Sequence, residues 1–577
     1  MLDFTDPPAL PQQVIDALQV LKTHRRQVTT LPIGPWIARE TIWRDPTTDQ
    51  VYGSAPLRRL VAPGCTFGYD VLVFVGQQLF LHHRPTDEVV DQLRTRQIRL
   101  SPSEVGYLAR KFVVYLALAH RQSGPALQEA MHAQGGYILH LDGTCEGGGP
   151  MLMSSLDSLS ETVLSNVKVP SEKAEQLVPF LQEIRCRYGV PLAIVHDMGL
   201  GILAAVQEVF PGVPDFICHF HFLRDLGNDL LEADYNAIRQ RLRQHGPSQK
   251  LLQHARRLKA AIDQEPGLVE SFCQNVQGHS LPGEKLELFP LLSAYSLIQW
   301  ALEGKADGQG YGFPFDRPHV RFAQRLCLLG QRLEQIKDIH LRAQWADNKP
   351  LYKLACELRK VCADRGLHRM LADIDPKIEV FDRLRNAMRI AEVGGTAGLN
   401  CGSRPVAMGP IRNAVECFRR ETTSRADYQA CPHWQALIAQ IDKYNDKLFA
   451  DPILVQTGGA SLLIQPQRTN NLMERFFRDL RHGARRRTGN NRIGRFLQSM
   501  IADTPLVRNL ENPRYLKILL NGQATLEERF AQIDVQTVRK ELEAARASLE
   551  KVPLAIRQLI ALPTFPEDLC GLFQKAA

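Results

Sequence analysis

Two short apolar runs, ILHLD at 138–142 and LAIVHD at 192–197, each end in an aspartate. Strands buried on both faces read as unbroken apolar runs, and the carboxyl ends of such strands are where open α/β sheets collect ligands. Asp142 and Asp197 are separated by 55 positions. The gap holds the patterns of two more strands, MLMSSLDS and ETVLSNVKV, and of an amphipathic helix opened by Pro170 and Ser171. Ala174, Leu177, Val178, Leu181 and Ile184 share one side of that helix, Pro179 should kink or shorten it, and Gly189 ends it. A further helix from about Leu200 to Phe210, a fifth strand DFICHFH, and a long helix from about Phe222 follow. The order of three strands, helix, strand, helix, strand predicts an α/β fold with a mixed sheet. Both aspartates then stand at one edge of it, while His196 points to the opposite face and packs. Asp157 and Asp225 read as structural or solvated acids.

Around this core the chain divides by pattern. Residues 1–82 mix short apolar runs with turns, and FGYDVLVFVGQQLFL at 67–81 fits buried strand or helix equally. In 83–136, Thr86 is placed to cap a helix with Val89, Val90 and Leu93. Ser101 or Ser103 is placed to cap a second, with Val105, Leu108, Phe112, Val113 and Leu116 on one face. This is a helix-turn-helix-like pattern, in which Glu104, Tyr107, Arg110 and Lys111 face outward. The first part of the core spans 137–246. Residues 247–465 are mostly helical, with GYGFPFDRP and GGTAGLNCGSRPVAMGP as loops, and are too long for a connection, so they form an insertion domain. Residues 466–500 return to a single helix, and 501–577 form a helical tail.

That helix supplies a third acid. In QRTNNLMERFFRDLRHGARRRTGNNRIGRF, Thr469 or Asn470 caps the helix, Glu474 falls on its first turns, and Phe477 and Leu480 continue an apolar face. Chemistry on a DNA phosphodiester needs an activated water or 3′-hydroxyl and a stabilised leaving oxygen, which two divalent metals can supply together. Magnesium takes oxygen ligands, so several carboxylates must converge. Asp142, Asp197 and Glu474 are the candidates for both metal binding and catalysis.

The residues LDGT (141–144), VHD (195–197), CHFH (218–221) and TNNLMERFFRDLR (469–481) together resemble the DDE transposases with a ribonuclease-H-like fold, in particular the Mutator-like transposases and their bacterial insertion-sequence relatives. The resemblance covers roughly 137–500. It implies a ribonuclease-H-like core interrupted by a large helical insertion before the catalytic glutamate, which suits the 277 positions between Asp197 and Glu474. It further implies two Mg2+ or Mn2+ ions, cutting and joining of double-stranded DNA, and a homo-oligomer that holds two element ends. A Cys-x-x-His pair follows the second aspartate in that group, and Cys218 and His221 match it. The resemblance implies a positioning role near the active centre, whereas the residues alone read as a buried thiol beside a hydrogen-bonded histidine. The amino-terminal part matches no zinc-finger spacing. A DNA-binding protein that has lost catalysis and a nuclease of the same fold are the alternatives.

From Arg475 to Arg495 the chain carries eight arginines and one acid, Asp479. Arginine grips phosphate bidentately, so Arg475, Arg478, Arg481, Arg485, Arg486, Arg487, Arg492 and Arg495 are candidate DNA contacts. The turn Gly489–Asn490–Asn491 lets backbone amides approach phosphate. Arg110 and Lys111 are candidates for reading the element ends. The net charge of +8 is compatible with a polyanionic partner. The twelve cysteines lack any Cys-x-x-Cys pair, which argues against a four-thiolate zinc module. No secretory signal pattern and no run of about 18 apolar residues occurs, so the expected setting is the cytoplasm, at the nucleoid, with no membrane partner.

Overall fold

The computed structural model describes residues 1–577 apart from Ala9, Gly148, Asp307 and Ala577 and the segments 265–266, 281–288, 341–348, 394–406 and 548–553. Most of the loop expected at GGTAGLNCGSRPVAMGP lies outside the described residues. The protein is a mixed α/β chain that divides into two compact units. The first comprises 1–216, 452–466 and 470–577, and the second 217–451 and 467–469.

Among the described residues the first unit holds three sheets. At the amino terminus, β1 (Leu2–Phe4) runs parallel to β3 (Gly34–Arg44), which pairs antiparallel with β2 (Gln19–Thr30) and β4 (Val51–Tyr52). The central sheet is built from β5 (Ile138–Thr144), β6 (Met151–Asp157), β7 (Thr162–Val169), β8 (Ala193–His196) and β9 (Asp215–Ile217). Their order is β7-β6-β5-β8-β9, with β5, β6 and β7 antiparallel and β8 parallel to β5. The third is a hairpin of β10 (Ile453–Thr457) and β11 (Ala460–Ile464). Sequence pattern had assigned that hairpin to the insertion.

Three other expectations are corrected, and one open reading is resolved. The stretch FGYDVLVFVGQQLFL is helical, Tyr69–Gly76 continuing as a π-helix through Leu81. The helix expected from Pro170 begins at Ala174 and runs through Pro179 to Tyr188. Within DFICHFH only Asp215–Ile217 is strand; Cys218 is the N-cap of a helix, His219–His245. The presumed tail is core up to Leu542, for Phe530 stacks on Tyr115 at 5.2 Å and meets Phe112 edge-on.

The organising element of this unit is the helix Pro102–Gln122. Ser101 caps it, with Glu104 returning the bond in a capping box. It is buried over most of its circumference. Lys111, expected to face outward, is turned in: its ammonium donates to the Cys65 thiol at 3.0 Å and lies over the Tyr115 ring. Gly76 makes room for this helix, since a Cβ there would stand 2.1 Å from Phe112 Cγ. Where the helix ends, His120 bridges the tail to the sheet. It bonds the Tyr515 hydroxyl and the Leu164 carbonyl, and burial drops its pKa to about 4. Asn509 closes the outer edge of the central sheet by accepting from the Val163 amide and donating to its carbonyl, both at 2.8 Å. An edge strand is thereby denied to other chains.

The second unit is helical among the described residues. Its helices His219–His245 and Arg365–Ala387 are joined by Asp364, which accepts two bonds from Arg241 (2.6 and 2.9 Å), one from His245 (2.6 Å), and the Gly366 and Leu367 amides as an N-cap. The Arg241 guanidinium holds the Asp364 carboxyl well below the usual carboxylate range.

Two tests of stability follow. Gly76→Ala forces the Phe112 ring aside, and such overpacking should cost about 1–3 kcal/mol in denaturant unfolding; an unchanged midpoint would show that the helices separate freely. Asp364→Asn should lower stability at pH 7 by roughly 2 kcal/mol, as expected for bonds to a charged group. A depressed carboxylate stabilises the fold fully above its unfolded pKa and loses that contribution as pH falls through its folded value. The gap between variant and wild type should therefore shrink below about pH 4.

Candidate functional site

The two aspartates lie towards the carboxyl ends of two neighbouring parallel strands. In the β5–β8 ladder, Ile138 pairs with Ala193, Leu139 with Ile194 and His140 with Val195. The paired register ends at His140 and Val195; Asp142 lies two residues further along β5, and Asp197 is the first residue after β8. Side chains alternate along a strand, so 138, 140, 142, 193 and 195 share one face. His196 takes the opposite face, fully buried with Nε2 3.3 Å from Asp215 Oδ2, as expected. Asp142 lies within β5, opposite Ser154 of β6, and is buried, its Oδ1 accepting the Gly143 amide at 2.7 Å. Asp197 follows directly on β8 and is half-buried.

The face bearing Asp142 is covered in sequence order by one later segment. Val455 and Ile464 of the hairpin pack on Ile138, Ala193 and Val195. The chain then reaches Asn470, fully buried, whose amide nitrogen donates to the Leu141 carbonyl at 2.9 Å. Its oxygen accepts from His140 Nδ1, also at 2.9 Å. An amide oxygen only accepts, so this bond fixes the proton of the neutral imidazole on Nδ1. Burial keeps His140 neutral by lowering its pKa to about 4.

Asn470 is also the N-cap residue of the helix Asn471–Thr488, although its side chain is spent on β5 rather than on the helix amides. The side-chain cap expected of it is absent, and a tertiary clamp stands in its place. Glu474 lies in the first turn, half-buried, where a carboxylate complements the positive end of the helix. Leu472, Met473, Phe476 and Phe477 bury the other side of that turn. The helix carrying the third acid is therefore pinned to the strand carrying the first, one residue before Asp142. Even so, among the described residues no three His, Cys, Asp or Glu side chains are gathered closely enough to hold a metal ion.

One acid escaped sequence reading. Glu172 packs its carboxylate against Gly199, where a Cβ would stand 2.8 Å from Oε1. Burial first, and then the charge of Asp197, push its pKa up. Glu172 follows β7, which sits at the far edge of the sheet in the strand order, so nothing in the chain order pointed to Asp197. Cys218 and His221 are buried and belong to the second unit, while the three acids belong to the first.

Of the arginine stripe, Arg475, Arg478, Arg481, Arg485, Arg486, Arg492 and Arg495 are exposed. Arg475 lies 3.7 Å from Glu161. Arg487 is the exception: its guanidinium is held over Phe80 and Phe496 at 5.0 and 4.7 Å, and burial lowers its pKa to about 10. It is a packing residue, unlike its neighbours. Arg110 is part-exposed on the buried helix Pro102–Gln122. Glu146, in the loop after β5, accepts the Ile493 and Gly494 amides, so those two are engaged within the chain while Gly489, Asn490 and Asn491 remain exposed.

No protein-family model matches the chain, and no curated protein matches it. The site thus stands on its own geometry. Asn470→Ala should strand a buried carbonyl and a buried imidazole N–H, costing about 1–3 kcal/mol for each group left unpaired. A loss of thermal stability smaller than a degree would mean that the clamp holds nothing.

Proposed function

We propose that this protein is a metal-dependent DNA strand transferase, a transposase, with Asp142, Asp197 and Glu474 as its carboxylates. The observation that carries this reading is the Asn470 clamp: it docks the first turn of the glutamate helix on β5, which carries Asp142 and runs parallel to β8, the strand that Asp197 follows. The strand order β7-β6-β5-β8-β9, with β7, β6 and β5 antiparallel and β8 parallel to β5, supports a ribonuclease-H-like core. The exposed arginines on the same helix support double-stranded DNA as the substrate.

Three oxygen-donor residues on adjoining elements suit Mg2+ or Mn2+, which prefer carboxylates. Two such ions supply charge neutralisation at the attacked phosphate and activation of the attacking hydroxyl. The chain's own groups do the rest. Arg475, Arg478, Arg481 and Arg485 hold the phosphate backbone along the helix. His140, kept neutral, adds no cation beside Asp142. In the first step water displaces the 3′-oxygen at an element end and leaves a free 3′-hydroxyl. In the second that hydroxyl attacks a target phosphodiester and displaces its 3′-oxygen, so bonds made and broken balance. Joining two ends calls for a homo-oligomer.

A second reading is favoured by one observation, the lack of a gathered ligand group among the described residues. A transposase-derived DNA-binding protein without catalysis would show the same. Cleavage and joining of labelled duplexes in Mg2+ decide between them. Asp142→Ala, Asp197→Ala and Glu474→Ala should each reduce strand cleavage by at least about a thousandfold, on the scale of losing a catalytic metal ligand, with DNA affinity within twofold. Wild-type protein that binds DNA but never cuts it would select the second reading.

A further inference from the structure

Beside the arginine helix, on the side bearing Phe476, Asp479 and Arg486, the first unit contains a cavity of about 360 Å3. Its walls are the helix Asn471–Thr488, the turn after the π-helix Gln77–Leu81, and the 3-10 helix Thr504–Glu511. The volume falls at the small end of ligand pockets, roughly 300–1,000 Å3. The chemistry of its lining is mixed in a telling way. Phe80 and Pro505 give an apolar wall, Arg486, Arg487 and Arg508 bring three cations, and Asp479 and Glu511 bring two carboxylates. Among the described residues Arg486 and Arg508 form no ion pair, and Arg508 Nη1 is buried with no hydrogen-bond partner although its guanidinium lies over Phe476. A buried guanidinium N–H left without an acceptor is costly, so a ligand oxygen is its natural complement. His83, also at this cavity, has its pKa lowered by burial and by Arg487 and Arg486, so at neutral pH it adds no cation.

A bare phosphate would meet the two carboxylates unfavourably. A nucleotide satisfies every part: its phosphate on the arginines, its base against Phe80, and its exocyclic amino group on an acid, as carboxylates accept from cytosine N4 in groove recognition. Base-on-aromatic stacking is how single-stranded DNA is held with little sequence preference.

We propose that this cavity takes up one unstacked nucleotide of the DNA, drawn out of the duplex next to the strand lying along the arginine helix. The proposal rests on the DNA-processing reading above and adds to it a subsite for unpaired DNA. The probes are a fluorescent 20-base-pair blunt duplex and the same duplex with a two-nucleotide 3′ extension, titrated with the full chain and read by anisotropy. Wild type should bind the extended duplex at least fivefold more tightly. Phe80→Ala and Arg508→Gln should abolish that preference and leave blunt-duplex affinity within twofold, with circular dichroism unchanged. Should Phe80→Ala misfold, Phe80→Leu, which keeps the packing volume but not the ring, decides with Arg508→Gln. Equal wild-type affinity for both duplexes, or variants that keep the preference, overturns the cavity's role. Failure of wild type to bind either duplex removes instead the DNA reading on which it rests.

Discussion

One buried amide holds the candidate site together. Asn470 bonds both the backbone of β5 and the His140 side chain, and through it a segment 330 positions away in the chain is fixed on the central sheet. A fully buried side-chain amide is costly unless its donors and acceptor are used. The pairing therefore specifies register: sliding the glutamate helix by one residue would strand the Asn470 amide, the Leu141 carbonyl and the His140 N–H together. His140 is part of the same constraint. Its neutral state follows from burial, and its tautomer from an acceptor that cannot donate.

The sheet supplies the other half. β5 and β8 are parallel and in register through His140 and Val195, which brings the chain to Asp142 and to Asp197 at the same end of the sheet. Their common face is apolar at its start, where the hairpin Ile453–Ile464 covers it, and becomes polar only from His140 onward. The opposite face, bearing Leu139, Leu141 and Ile194, is sunk in the main core. Asp142 stands past the apolar part of the face that the hairpin covers.

How much of this could be read from residues alone depended on whether the physics was local. The strands before Asp142 and Asp197 were legible because continuous apolar runs bounded by turns admit few other readings. So was the first-turn position of Glu474, since it follows from the distance to a capping residue. The Phe67–Leu81 and Asp215–His221 runs were not, because a short apolar run has no periodicity that separates helix from strand. Lys111 was misplaced for a related reason: a helix wrapped on nearly all sides has no polar face, and its lysine buries an aliphatic stem while the ammonium finds a thiol. Asn470 looked like an ordinary helix cap. Its long-range partners, like the approach of Glu172 to Asp197, exist only once the chain has folded.

The arginine helix shows where local stability and function part ways. Glu474 in the first turn and Arg485, Arg486 and Arg487 in the last both complement the helix dipole, so their placement needs no ligand. Arg487 goes further and becomes core, sandwiched by Phe80 and Phe496. Arg475, Arg478 and Arg481 have no such account. They recur three positions apart, where like charges repel by about 0.2–0.5 kcal/mol per pair, and all three are exposed. Glu161 lies near Arg475, and within the helix Asp479 stands four residues after Arg475 and Glu474 four before Arg478, so the row is partly compensated. What repulsion remains is a cost within the free protein that a row of phosphates would reverse, and it falls on the helix whose N-cap residue, Asn470, bonds the strand of Asp142.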